Sequence, residues 1–271
     1  MTMDAFIVAQ ISDMHVKSDG DLSNGVVDTA AALRRCIDDL LRRPQQPHVV
    51  LFTGDLVDDA EEAQYRELRR IVEGLPMPWY LIPGNHDDRE TLRQCFPDHA
   101  CLRQWAPFVQ YTIEDWPLRL VGLDTVIPGE GGGALCDERL AWLDRTLAAQ
   151  PSRPTLVFMH HPPFLTGIAY MDDIRLETPE RLAAVLARNP QVERVLCGHV
   201  HRSIQTRFAG ILASICPSPA HQIVLDFARG APEQFVLEPP GYQLHVWRPD
   251  TGVVSHTLAI GEYPGPYPFV G

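Results

Sequence analysis

Five short apolar runs, each followed by Asp, Asn or His, constrain this chain more than any other feature of its sequence. Their length and their β-branched and aromatic content are typical of buried strands. The runs span residues 6–11, 48–53, 79–83, 155–159 and 195–197, and the polar residues that follow them are Asp13, His15, Asp55, Asn85, His160, His199 and His201. Packing does not explain why five strands should end in residues that bind metals. We therefore expect a ligand site at the carboxyl ends of the strands.

Amphipathic patterns between these runs predict helices. The predicted helices lie at 26–43, 61–75, 88–95, 137–150 and 179–188. Strands that alternate with helices over the first 200 residues are typical of an α/β core with helices on both faces. A long loop is predicted through residue 173, and after His201 the pattern changes to β-hairpins at 205–217 and 243–258.

Length and charge limit the functions that this chain can have. Its 271 residues suit one large α/β domain, and its formal net charge of -12 repels nucleic-acid backbones. A small anionic substrate remains possible, because bound cations reverse the local field. No apolar run reaches the ~18–20 residues of a membrane-spanning helix, and the N-terminus lacks a signal-type core, so we expect a cytoplasmic protein. The six cysteines are scattered without a CxxC pair and are expected to be free thiols.

The residues after the five runs have the chemistry of metal ligands. Asp13 and His15 are two positions apart, as are His199 and His201, so an extended backbone would place each pair on one side. Two carboxylates, one amide and four imidazoles are enough for two adjacent cations. Mixed nitrogen and oxygen ligands without thiolate favour Fe, Mn, Zn or Co. Each motif alone is common in ordinary turns, and it is their combination that predicts the site.

The ordered motifs resemble those of the calcineurin-like metallophosphoesterase superfamily. They are Asp13-Met-His15, Gly54-Asp55-Leu-Val-Asp58, Gly84-Asn85-His86-Asp87, His160-His-Pro162 and Gly198-His199-Val-His201, within residues 6–203. The resemblance implies a four-layer α/β/β/α sandwich with two mixed β-sheets. It also implies a core at 1–203 and a small β-rich C-terminal cap at 204–271 that completes the second sheet and builds contacts in a homo-oligomer.

The same resemblance implies two coordination spheres for divalent or trivalent cations. The first would contain Asp13, His15, Asp55 and His201, and the second would contain Asp55, Asn85, His160 and His199. Asp55 would bridge the two cations. The family ligand is the histidine two positions before proline, which selects His160 when Pro162 is counted and leaves His161 as a pocket residue. Counting from Pro163 would exchange the two roles.

The resemblance further implies a mechanism. Two cations ~3.5–4 Å apart lower the pKa of a bridging water, and the resulting hydroxide attacks phosphorus in line. The catalytic residues would then be His86, Asp58 and Asn85. His86 would lie beside the phosphate and protonate the leaving oxygen, oriented by the carboxylate of Asp58. Asp87 is expected to belong to the turn.

The stretch 160–172 is most similar to bacterial class III cyclic-nucleotide phosphodiesterases and glycerophosphodiesterases, and it makes His161, Met171 and Asp172 candidates for the pocket. The predicted substrate is therefore a small phosphodiester, such as a cyclic nucleotide or a glycerophosphodiester, and not a nucleic acid or a membrane. No Arg or Lys lies inside the five motifs, which favours a monoanionic diester over a dianionic monoester. The alternatives are a phosphomonoesterase, a nuclease and a scaffold without activity, and the scaffold is disfavoured because all seven ligand positions are filled.

Overall fold

The computed structural model describes residues 5–269, which form two β-sheets flanked by helices. Residues 1–4 of the predicted core and residues 270–271 of the predicted cap lie outside the described residues. The strands are β1 (Phe6–Ile11), β2 (Val49–Thr53), β3 (Trp79–Ile82), β4 (Tyr111–Ile113), β5 (Arg119–Leu123), β6 (Thr155–Met159), β7 (Val192–Cys197), β8 (Ile204–Phe208), β9 (Ile211–Ile215), β10 (Gln222–Ile223), β11 (Phe235–Val236), β12 (Gly241–Arg248) and β13 (Gly252–Ala259). The helices are α1 (Thr29–Leu41), α2 (Glu62–Val72), α3 (Arg89–Cys95), α4 (Asp137–Ala148), α5 (Ala169–Asp173) and α6 (Pro179–Ala187).

Both sheets are mixed. The first has the order β13-β12-β1-β2-β3, with β1, β2 and β3 parallel to one another. The second has the order β4-β5-β6-β7-β9-β8, with β5, β6, β7 and β9 parallel. Since β1, β2, β3, β6 and β7 each end at the start of a predicted motif, the sheets carry the candidate ligands at the carboxyl ends of parallel strands.

Alternate residues of the second sheet divide the core into layers, because side chains of a strand point to opposite faces. Leu156 and Phe158 of β6 belong to the large core that contains the first sheet, α1 and α2. Val157 and Met159 of the same strand pack in a second core, with residues of α4 and α6. The predicted α/β/β/α sandwich is confirmed.

A set of hydrogen-bonded polar side chains connects the two sheets. Gln10 Nε2 donates to Thr53 Oγ1 and to the carbonyl oxygen of Cys197, both at 2.9 Å. His245 Nε2 lies 3.1 Å from Gln10 Oε1, and its Nδ1 contacts Ser255 Oγ. We call Gln10, Thr53, His245 and Ser255 the interlayer cluster.

Residues 204–259 take part in both sheets. The predicted hairpins are confirmed: β8 and β9 join the second sheet, whereas β12 and β13 join the first, next to β1. The short pair of β10 and β11 stands apart from the two sheets. The predicted loop that runs through residue 173 contains the five-residue helix α5, too short to produce a periodic pattern. The division of the chain at residue 203 stays a prediction.

The helices among the described residues are all too short or too polar to cross a bilayer.

Candidate metal centre

The candidate ligands sit on sharp bends of the chain. Asp13 and His15 follow β1 with φ of 58° and 46°, and His199 and His201 follow β7 with φ of 75° and 56°. The extended backbone predicted for these pairs is therefore wrong. The bends are held by hydrogen bonds to the neighbouring loop, from Asp13 N to the carbonyl oxygen of Gly54 and from His15 N to that of Asp55, both 3.0 Å. Left-handed conformations of such residues cost of order 1–3 kcal/mol each, and they concentrate at functional sites.

A first group of candidate ligands meets beyond β1, β2 and β7. Asp13, His15, Asp55 and His201 are buried, and each offers one atom within 4.8 Å of the others. His15 Nε2 lies 3.5 Å from Asp55 Oδ2, and His201 Nε2 lies 3.7 Å from Asp13 Oδ1. These four residues are those predicted for the first coordination sphere.

The tautomers in this group leave two nitrogen lone pairs facing each other. His15 Nδ1 lies 3.1 Å from a carboxylate oxygen of Asp58, and His201 Nδ1 lies 3.0 Å from the carbonyl oxygen of His221. Both partners only accept, so in its neutral form each imidazole carries its proton on Nδ1. The two Nε2 atoms nevertheless approach to 3.1 Å. A cation between them would turn this unfavourable contact into coordination, and the outer hydrogen bonds match those of metal-binding histidines.

A second group meets around Asn85. Its Oδ1 lies 3.1 Å from His160 Nε2 and 3.0 Å from His199 Nδ1, while His160 Nε2 is 3.3 Å from Asp55 Oδ2. Since His160 Nδ1 is 2.9 Å from the carbonyl oxygen of Thr53, its Nε2 points at acceptors without a proton in the neutral ring. Asp55 contacts both groups.

Two buried atoms of these groups have no hydrogen-bond partner in the described part of the chain: Asp13 Oδ2 and His199 Nε2. A buried acceptor left without a partner costs about 1–3 kcal/mol. The donor set of carboxylates, imidazoles and one amide therefore fits a pair of cations that share Asp55.

Two glycines make the close approach of the ligands possible. A Cβ on Gly84 would lie 2.2 Å from Asp55 Oδ1, and a Cβ on Gly198 would lie 2.0 Å from Ser12 Oγ and 2.8 Å from Asp13 Oδ2. No other residue type fits at either position without moving the carboxylates.

Burial sets the protonation of the histidines. It lowers the pKa of both His199 and His201 well below the usual range, so these imidazoles are neutral and their lone pairs are available. Burial also opposes protonation of His160, but the adjacent Asp55 carboxylate outweighs it and raises the pKa to about 9, so His160 would bind a cation by giving up the proton on its Nε2. Although burial disfavours its charge, Asp55 is ionised, because His160 and other imidazoles hold its pKa well below the usual range.

His86 and Asp58 lie beside the first group in an arrangement that differs from the prediction. The imidazole of His86 is exposed, and its Nδ1 lies 2.7 Å from the main-chain carbonyl oxygen of Asp58. The expected hydrogen bond to the Asp58 carboxylate is wrong, because that carboxylate contacts His15 and, at 3.3 Å, Lys17 Nζ. Burial opposes ionisation of Asp58, yet its hydrogen bond with His15 lowers the pKa to about 2.

Asp87 joins the two loops that carry Asp55 and Asn85. Its carboxylate accepts from Gly84 N at 2.8 Å, Leu56 N at 3.0 Å and the hydroxyl of the buried Tyr65 at 3.0 Å. Its position in the turn agrees with the sequence prediction.

The three pocket candidates are placed differently. His161 is buried, with Nδ1 2.8 Å from Thr125 Oγ1 and Nε2 3.2 Å from the carbonyl oxygen of Gly131. Both of its ring nitrogens are engaged, which favours His160 as the ligand. Met171 lines a cavity of about 380 Å³ at the ligand groups, which we call the metal-end cavity. Asp172 holds its own loop by accepting from Thr166 N and Gly167 N, and its role at the pocket stays a prediction.

His221 is the residue that sequence reasoning missed. It lines the metal-end cavity, and its ring centroid lies 4.7 Å from that of His201 and 5.6 Å from that of His15. It stands on a loop just before β10, after no apolar run and in no recognised motif, so no local signal marks it. Asn24, Ile174 and Ile223 line the same cavity without a sequence signal.

Residues 6–203 match the calcineurin-like phosphoesterase family, and this match spans the residues of both ligand groups. The chain belongs to that family. It is 41% identical to a probable glycerophosphodiester phosphodiesterase, GpdQ, of Arcobacter nitrofigilis, over 97% of this chain and 96% of the relative. It is 32% identical to a cAMP/cGMP dual specificity phosphodiesterase of Mycobacterium tuberculosis, over 94% of this chain and 80% of the relative.

The calcineurin-like fold is also found in solved structures of lower sequence similarity. A dimetal phosphatase from Danio rerio superposes with a TM-score of 0.63 at 14% identity, over 94% of this chain and 99% of that chain. The family and the fold predicted from the sequence are thus confirmed.

Proposed function

We propose that this chain hydrolyses small phosphodiesters and uses two divalent or trivalent cations to do so. The observation that carries this proposal is that two buried groups of candidate ligands meet at Asp55, which lies 3.5 Å from His15 Nε2 in one group and 3.3 Å from His160 Nε2 in the other. When bound, such cations supply Lewis acidity and activate water. The family and the names of the curated relatives, which include glycerophosphodiesters and cyclic nucleotides, support a phosphodiester as the substrate.

The contacts support the following ligand sets. Asp13, His15, Asp55 and His201 hold one cation, and Asp55, Asn85, His160 and His199 hold the other. Asp58 and the carbonyl oxygen of Thr53 orient His15 and His160 from behind through hydrogen bonds of 3.1 and 2.9 Å.

His86 is the proposed acid for the leaving oxygen. Its Nδ1 is directed at the carbonyl oxygen of Asp58, so the exposed Nε2 is the nitrogen that can deliver a proton to a substrate. The P–O bond to the leaving arm breaks, that oxygen takes the proton, and water supplies the new P–O bond. The amide nitrogen of Asn85 can donate to a phosphoryl oxygen while its Oδ1 faces the ligand groups.

The charges around the site favour a diester over a monoester. Arg89 is the one Arg or Lys among the described residues that line the two cavities at the site, and its guanidinium is paired with the buried Asp124 at 2.6 Å. Asp58, Asp59, Asp88 and Glu90 line the same region. A singly charged phosphate is repelled less by these carboxylates than a doubly charged one.

One panel of substrates tests the proposal. Protein stripped with a chelator and reloaded with Mn²⁺ is assayed on bis(p-nitrophenyl) phosphate, p-nitrophenyl phosphate, cyclic AMP, glycerophosphoethanolamine and single-stranded DNA. We expect turnover of the small diesters that requires metal and is much weaker on the monoester and on DNA. Equal rates before and after chelation, or a preference for the monoester, would contradict the proposal.

A further inference from the structure

A second cavity adjoins the metal-end cavity on the far side of His86. It has a volume of about 560 Å³, shares Asp58, Asp59, Asn85 and His86 with the metal-end cavity, and extends to Arg89, Phe108, Val126 and Pro128. We call it the side pocket. None of the five sequence motifs predicts Phe108, Val126 or Pro128 as part of a site.

The position of His86 relates the side pocket to one arm of a diester. His86 lies on the boundary between the two cavities, and its proposed role is to protonate the leaving oxygen. A phosphorus atom at the ligand groups would then have its leaving arm beside His86, directed toward Phe108 and Arg89. This step rests on the proposed function.

The inner wall of the side pocket is rigid. Arg89 donates from Nε to Asp124 Oδ2 at 2.6 Å, and from Nη2 to Asp124 Oδ1 and the carbonyl oxygen of Val126, both at 2.8 Å. Asp124 is fully buried and also accepts from Val109 N at 2.8 Å. The guanidinium is thus fixed by a bidentate pair, and its Nη1 is the nitrogen left for a ligand.

The side chains that line the side pocket determine which ligand it can bind. Phe108, Val126 and Pro128 give apolar contact, and the Arg89 guanidinium donates hydrogen bonds. Five carboxylates line the pocket: Asp58, Asp59, Asp87, Asp88 and Glu90. They outnumber the nearby cations, which are Arg89, Lys17 beside Asp58 and Asp59, and Arg93 beside Glu90. A hydroxyl group accepts from the guanidinium and donates to a carboxylate, whereas a second anion meets net repulsion.

We infer that the side pocket binds the leaving alcohol of a phosphodiester and selects an uncharged, hydroxyl-bearing alcohol over an anionic one. The preference arises because the Arg89 guanidinium, which donates, and the lining carboxylates, which accept, are already in place before the substrate binds. An alkyl arm of the same length would gain only the apolar contact.

Three diesters that share a methyl arm test the inference. Glyceryl methyl phosphate, propyl methyl phosphate and 2-carboxyethyl methyl phosphate differ only in the arm that the pocket would hold. The released alcohol is identified by NMR, and kcat/KM is measured for the Mn²⁺-loaded enzyme. We expect glycerol and not methanol to be released, and kcat/KM for the glyceryl ester to exceed that for the propyl ester about five- to tenfold, as one or two hydrogen bonds would give.

A matched pair of variants tests the role of the carboxylates that line the side pocket. Glu90→Lys reverses a charge at the pocket, and Glu180→Lys makes the same change at the equivalent second residue of α6. The ratio of kcat/KM for the carboxyethyl ester to that for the propyl ester should rise about two- to fivefold in Glu90→Lys and stay at the wild-type value in Glu180→Lys. Both variants are compared at low and high salt, since a charge effect is screened.

The outcomes separate this inference from the function on which it rests. Release of methanol, equal rates for the glyceryl and propyl esters, or an equal change of the ratio in both variants overturns the inference. If bis(p-nitrophenyl) phosphate is still hydrolysed in that case, the proposed function survives. If no diester is hydrolysed by the metal-loaded enzyme, both fail together.

Discussion

The strand-end ligand groups and the interlayer cluster are both buried and rich in polar side chains, but their hydrogen bonding differs. In the interlayer cluster a consistent direction of donation exists. Ser255 donates to His245 Nδ1, His245 Nε2 donates to Gln10 Oε1, and Gln10 Nε2 donates to Thr53 and to the carbonyl oxygen of Cys197. At the strand ends no such direction exists for the neutral rings, because the Nε2 atoms of His15 and His201 then face each other as acceptors at 3.1 Å.

The difference separates a structural polar cluster from a binding site. A buried network that satisfies its own donors and acceptors stabilises the fold without a ligand. Lone pairs that converge on one point destabilise the fold without metal, and the binding of a cation there offsets that cost. The two regions are also connected, since Thr53 and Cys197 come just before the bends that carry Asp55 and His199.

The largest effect is expected at the residue that both ligand groups share. Asp55→Asn removes a charge from both proposed cation sites, so we expect both metals to be lost and kcat to fall on the order of 10³-fold. Asn85→Ala is the control that should remove only one metal. Elemental analysis and turnover of bis(p-nitrophenyl) phosphate measure the two effects. An Asp55→Asn protein that keeps two metals and its rate would show that Asp55 does not bridge.

Removal of metal should destabilise the strand-end region and not the interlayer cluster. Ligand at about 100 times its Kd adds roughly 2.7 kcal/mol to the free energy of unfolding, which for a chain of this size raises Tm by about 5–10 °C. Thermal unfolding of stripped protein with and without Mn²⁺ measures this shift. His245→Gln should show the same shift, whereas His201→Ala should show a smaller one. A wild-type Tm that is independent of Mn²⁺ would contradict the proposal that the strand-end ligand groups bind metal.

Much of the strand-end site is predictable from sequence, because each part of it is local. An apolar run and the polar residue that follows it are close along the chain, and the carboxyl ends of parallel strands converge by the geometry of the fold. The left-handed backbone at Asp13 and His199 is not predictable in this way, since Asp13 N donates to the carbonyl oxygen of Gly54 and His199 N donates to the Asp13 carboxylate, both in other loops. His221 has no local signal either, because its ring reaches His15 only through the fold.

The interlayer cluster could not be predicted at all. Gln10 and His245 are 235 positions apart, and they meet because β12 pairs antiparallel with β1 in one particular register. A shift of β12 by one residue would turn His245 to the opposite face, away from Gln10. Sequence patterns describe which face of a strand is buried, and they carry little information on which distant strand lies beside it.

His245 offers a prediction on pH. Burial lowers its pKa to about 3 from the usual 6.5 of histidine, so between these values the unfolded chain binds a proton that the folded chain does not. Stability therefore falls as the pH drops from about 6.5 toward 3. Replacement by Gln keeps a donor and an acceptor but cannot titrate, so the slope of unfolding free energy against pH should decrease by up to about 1.4 kcal/mol per pH unit. Urea unfolding at several pH values measures it, and an unchanged slope would mean that His245 is protonated in the fold.

The smallest effect is expected at Asp87, which tests whether every carboxylate at the strand ends depends on metal. Asp87 lies next to the ligand groups, yet its oxygens accept from Gly84, Leu56 and Tyr65, so it resembles the interlayer cluster. Tyr65→Phe removes one of these donors and should lower the free energy of unfolding by about 1 kcal/mol, without a change in metal content. Urea unfolding and elemental analysis of the same preparation give both quantities. If Tyr65→Phe loses metal, Asp87 positions the loops that carry the metal ligands. Asp87 would then belong with the groups on which metal binding depends, although protein donors satisfy its oxygens.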